Sequence, residues 1–97
     1  MPYRVEIDAR TGPAGLEPEV AADAAAHVRA HDPAVARPEV VQDPNHNTIG
    51  LRGDIDAFDA GDALRLGIGA LARAMVACGL SATNGFARLH AEPFTSP

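Results

Sequence analysis

DAGDALRLGIGALARAMVACGL, residues 59–80, places apolar side chains around nearly the whole circumference of a predicted helix. Leu64, Ile68, Leu71 and Met75 form a stripe of large residues that Cys78 continues, and Ala63, Gly67, Ala70, Ala74 and Ala77 form a neighbouring stripe of small ones. Such a helix is built to be buried. Asp59 or Asp56 can cap its N-terminus, each followed by an acid three residues on. Gly79 suits the left-handed position past its end, with Leu80 folding back over the last turn.

Strand patterns lie on either side of this helix. Upstream, Tyr3, Val5 and Ile7 alternate with Arg4, Glu6 and Asp8, the period-two mark of a strand with one buried face. After the turn-rich link 10–15, a helix is expected from about Pro18 to His31, with a modest apolar face of Val20, Ala24 and Val28. Val35–Gln42 reads as a short strand, with Pro38 at a sheet edge or outside the ladder. Asp43-Pro44-Asn45-His46-Asn47 is turn chemistry. Ile49, Leu51, Gly53 and Ile55 then share one face of a third strand. Downstream, Ser81–Gly85 is a loop, and Phe86–Glu92 makes a last strand with Ala87, Leu89 and Ala91 on its inner face.

The order strand, helix, strand, strand, helix, strand describes two crossovers joined by a hairpin. It predicts an α+β, ferredoxin-like βαββαβ sandwich: a four-stranded antiparallel sheet with two helices on one face. In that topology the first and last strands are antiparallel neighbours. Their outward residues then face one another as Arg88 with Asp8, His90 with Glu6 and Glu92 with Arg4, a charge match at every step. Residues 1–93 are expected to form one domain, with 94–97 a loose tail.

Composition narrows the function. The 97-residue chain carries a net charge of −5, and all its cations are dispersed arginines. No basic face and no central aromatic platform are available for nucleic acid. Neither a signal segment nor a membrane-length apolar run is visible, so no membrane partner is expected and the cytoplasm is the default compartment. A single cysteine, Cys78, reads as a buried inert thiol. Glycine motifs that cradle phosphate are missing, so no cofactor is implied.

Three groups of residues could carry chemistry or recognition. His90 beside Glu6 on the outward sheet face could act as an oriented general base. Asp23, His27 and His31, at successive i, i+4 positions, could offer three metal ligands along one ridge of the first helix. Contact with a partner is expected on the solvent side of the long helix, at Arg65, Gly69, Arg73 and Val76, and at the hairpin tip, Asn45, His46 and Asn47. Gly69 prompts the first of these, because glycine inside a helix costs about 1 kcal/mol relative to alanine and needs a reason. The main functional expectation is a non-enzymatic protein-interaction or regulatory binding module, homodimeric or a subunit of a larger assembly, its partner a protein or a second copy of itself. The alternative is a small cofactor-independent enzyme of isomerase, cyclase or oxygenase type that uses a histidine of the sheet face or of the first helix as acid or base.

Overall fold

A computed structural model describes residues 1–12, 19–81 and 85–93. Its elements are β1 (Pro2–Arg10), α1 (Val20–His31), β2 (Val35–Asp43), β3 (Thr48–Asp56), α2 (Ala60–Ala77) and β4 (Phe86–Pro93). The strands form one sheet in the order β2-β3-β1-β4, each antiparallel to its neighbours. This is the expected βαββαβ sandwich. The start of the first helix near Pro18, most of the 81–85 loop and the tail 94–97 lie outside the described residues.

Alternation in the central strands produces the core. Tyr3, Val5, Ile7 and Ala9 of β1 and Ile49, Leu51 and Ile55 of β3 are buried against Ala24, Ala25 and Val28 of α1 and against α2. It is the small stripe of α2 that lies deepest. Ala63, Gly67, Ala70 and Ala74 are buried with Leu71 and Met75, whereas Leu64 and Ile68 are half-buried. Gly67 lets the helix descend onto the sheet: a Cβ there would come within 2.5 Å of Ile7 Cδ1. The terminal turns of α2 follow the capping rules. Asp59 accepts a 2.8 Å bond from the Asp62 amide, and Gly79, at φ +80°, directs the Leu80 amide back to the Met75 carbonyl at 2.8 Å.

Two irregularities adjust the sheet. In β2 the register shifts between Ala36 and Glu39, where Pro38 sits on the edge strand opposite Gly53 and Arg37 takes φ +51°. In β4 the pairing passes from Asp8↔Arg88 to Ala9↔Phe86, which leaves Ala87 as the extra residue of a bulge. The alternation expected in β4 is corrected accordingly. Phe86 packs against the core, whereas Ala87 is exposed and Leu89 remains 47% exposed. As an edge strand, β4 has only part of its inner face covered by α2.

Candidate functional site

Two surfaces bring chemistry-bearing side chains together. One is the outward face of the sheet. There Arg52 Nη1 donates to Asp8 Oδ1 at 2.9 Å, Arg88 Nη2 lies 2.8 Å from Glu6 Oε2, and Asp54 accepts from Arg4 Nε at 3.2 Å and Arg37 Nη2 at 2.5 Å. Gly50 makes the first pair possible, since a Cβ at that position would lie 2.1 Å from Asp8 Oδ1. The hollow above this network measures about 550 Å³ and is lined by charged groups, among them Arg4, Glu6, Arg37, Glu39, Arg52 and Asp54.

The backbone register sets His90 opposite Glu6, as the charge match requires. Their side chains do not pair. Glu6 is engaged by Arg88, and the nearest carboxylate oxygen to His90 Nε2 is that of Glu92, at 3.8 Å. A general base oriented by Glu6 is therefore not assembled. Guanidinium presents several donors on a long stem and captures the diagonal carboxylate that the imidazole of His90 would need.

The second surface is a groove of about 550 Å³ between the helices, lined by His27 and His31 of α1 and by Ala72, Arg73, Val76 and Ala77 of α2. Its lining is apolar apart from the two imidazoles and the guanidinium. The rings of His27 and His31 lie side by side, with centroids 4.4 Å apart and planes inclined by 37°. Nδ1 of His27 is enclosed by protein and has no hydrogen-bond partner among the described residues. At one end Arg73 reaches across from α2 to Asp32 at the C-terminus of α1. Its Nε donates to Asp32 Oδ1 at 3.1 Å, and its Nη2 donates to the same oxygen. Asp32 is buried.

The expected metal ridge is corrected by this arrangement. Among the described residues no three His, Cys, Asp or Glu side chains are grouped to hold a metal ion, so Asp23 does not join the two histidines. The spacing is helical, as read, but the rings stack on each other and one nitrogen turns inward. Asp23 instead acts near Cys78, whose thiol pKa is pushed up by burial and then by the charge of Asp23.

Of the residues expected to meet a partner, Arg73 and Val76 line the groove, and Val76 is 65% exposed. Arg65 sits near the N-terminus of α2, where its Nη2 donates to Asp62 at 2.7 Å. That contact, followed by the Phe58 amide, holds the Asp62 carboxyl below the usual range. Gly69 meets no partner among the described residues: a Cβ there would stand 3.1 Å from Arg73 Nη1, the movable end of a side chain on the same helix. The hairpin tip is occupied with its own geometry. Asp43 accepts from the Asn45 amide at 3.0 Å and lies 2.7 Å from His46 Nδ1, a contact that is the main cause of its lowered pKa. Asn47, at φ +50°, presents its carbonyl to the amide and hydroxyl of Thr11, each at 2.9 Å.

Sequence reasoning missed Asp32 and with it the clamp across the helices. Asp32-Pro33 reads as a helix stop, and no spacing rule connects it to a residue 41 positions away. Gly69, one turn before Arg73, was the available signal.

No family model matches the chain, and no curated protein matches it. Among solved structures, it is similar to a protein of Chloroflexus aurantiacus J-10-fl provisionally assigned as an antibiotic biosynthesis monooxygenase, with TM-score 0.58 and 14% identity over 100% of this chain and 96% of that one. The likeness establishes the ferredoxin-like fold. The expectation of a non-enzymatic interaction module is corrected to this extent: the similar structure bears the name of a monooxygenase, not of a binding module. Among the described residues, no helix is long and apolar enough to cross a membrane.

Proposed function

We propose that the protein is a small enzyme of the oxygenase type that works without a cofactor on a compact apolar substrate held between α1 and α2, with His27 as its general base. The observation that carries this reading is the pair of imidazoles, His27 and His31, on the wall of an apolar groove of about 550 Å³. The groove's volume falls within the range of small-molecule sites, about 300–1,000 Å³, and its apolar lining with a few polar groups is what such sites require. The monooxygenase assignment of the Chloroflexus aurantiacus protein supports the reaction class.

The chemistry needs only a base and a substrate that can reduce dioxygen. An imidazole nitrogen takes a proton from a C–H acidified by a neighbouring carbonyl or aromatic ring, and the carbanion passes its electrons to dioxygen. A methylene supplies all four electrons: it ends as a carbonyl, one oxygen atom is retained, and the other leaves as water, so CH2 and O2 become C=O and H2O. Oxygen uptake by the purified protein, in the presence of a chelator and of β-diketones with an unsubstituted methylene, tests the proposal. Uptake is expected, and His27→Gln should lower it by about 10²–10⁴-fold, the usual contribution of general base catalysis. Uptake that is absent, or unchanged in His27→Gln, overturns it.

A further inference from the structure

Arg73 has donors left over after its ion pair is made. Asp32 engages Nε and Nη2, which fixes the plane of the guanidinium, while Nη1 bonds to no described residue. The space beside Nη1 is kept open by Gly69, where a Cβ would stand 3.1 Å away. The same side chain lines the groove, whose α2 wall is otherwise short and apolar, Ala72, Val76 and Ala77, and whose α1 wall is the tilted pair of imidazoles.

We infer that the groove selects a ring-bearing organic acid, its flat apolar body lying between the alanine wall and the imidazoles and its acidic oxygen accepting a hydrogen bond from Arg73 Nη1. The inference rests on the groove being the substrate site and adds the chemical class of the substrate. Two features favour an acid over a neutral or cationic molecule, and a third favours a ring. A guanidinium already oriented by a buried carboxylate loses little freedom on binding a second oxygen. The chain as a whole carries −5 and repels acids elsewhere, so an anchored guanidinium decides where one can bind. The short apolar side chains of the α2 wall and the imidazoles opposite them give the ring of such an acid apolar and aromatic surface to lie against. Arg73 is thereby a specificity residue, and Asp32 is a positioning residue that acts through it.

Binding of 2-naphthoate and of its neutral isostere 2-naphthamide, followed by backbone amide shifts in NMR titrations, tests the inference without any turnover. The acid is expected to bind at least about tenfold more tightly than the amide, as a charge-assisted hydrogen bond at a half-open site allows, with shifts centred on Ala72, Val76 and Ala77. Arg73→Gln should abolish the preference, and Arg73→Lys should keep part of it. Equal affinity of the wild-type protein for acid and amide, or shifts centred on the sheet face, overturns the inference and needs no variant to be folded. A preference that survives Arg73→Gln also overturns it. Acid preference in a protein whose oxygen uptake ignores His27→Gln refutes the proposed reaction alone, and uptake of a neutral substrate without acid preference refutes this inference alone.

Discussion

Arg73 of α2 grips Asp32 at the C-terminus of α1 through Nε and Nη2, so one guanidinium joins the two helices at the end of the groove between them. The carboxylate is buried and the guanidinium is 58% exposed. The pair therefore acts as a half-solvated bridge rather than a core ion pair.

Removing the carboxylate leaves Arg73 free to reach water, and removing the guanidinium strands Asp32. The second change is expected to cost more. Arg73→Ala should lower stability by about 2–3 kcal/mol, less than the 3–5 kcal/mol of a fully buried broken pair because solvent screens this one. Asp32→Asn should cost about 1 kcal/mol, a hydrogen bond's worth. Urea denaturation of the two variants checks the order.

The glycines of α2 should respond oppositely to alanine. At Gly67 the added methyl meets Ile7 Cδ1 at 2.5 Å inside a packed core, and overpacking of about 1–3 kcal/mol outweighs the gain of about 1 kcal/mol in helix propensity. At Gly69 the neighbour is the far end of a flexible arginine, 3.1 Å away, so the propensity gain survives in large part. Thermal melts should show Gly67→Ala below the wild type and Gly69→Ala level with or above it.

Acid should loosen the start of α2 first. The Asp62 carboxyl is held below its ordinary range by Arg65 and then by the Phe58 amide. A depressed folded pKa means that the unfolded chain binds the proton more readily. The stabilisation is thus complete above the unfolded value of about 4 and is lost as pH falls through the folded one. Amide exchange at Phe58 and in the first turn of α2 should accelerate below about pH 4, and Asp62→Asn should remove that pH dependence. Asp59→Ala should cost about 1 kcal/mol through loss of the cap.

Cys78 should label slowly. Burial, and after it the charge of Asp23, raises the thiol pKa and leaves little thiolate near neutral pH. Ellman's reagent at pH 8 should react with it more slowly than with glutathione, and Asp23→Asn should speed the reaction. Equal rates in the two proteins would show that Asp23 has no part in it.

Much of the fold was readable from local patterns. The alternation at Tyr3, Val5 and Ile7 and at Ile49, Leu51 and Ile55 marked two strands that are buried on one side, and both belong to the centre of the sheet. Gly79 and Asp59 end α2 as their residue types require. The inner face of β4 was less legible, since a bulge at Ala87 changes which side chains point inward and edge position leaves Leu89 half in water. Alternation reports periodicity, and a bulge is set by the partner strand.

The candidate site was legible only in fragments. His27 and His31 stood out by spacing, and Arg73, Val76 and Gly69 by their place on the outer side of α2. Nothing in the spacing joined the two groups, because they come from different helices and meet only once both rest on the sheet. His90 and Glu6 show the converse: the register expected from charge matching is the register found, yet Glu6 is held by Arg88.

The order of elements, the ends of α2 and the strand pairing were determined by the sequence itself, because they follow from local periodicity, capping and a topology that buries the inner faces of the central strands. Tertiary structure alone decided which side chains became partners. A carboxylate or an imidazole is claimed by whichever donor the packing brings within about 3 Å, and that distance depends on sheet twist, a bulge and the approach of two helices. Through it Asp32 was assigned to Arg73, and Nδ1 of His27 was enclosed without a partner among the described residues.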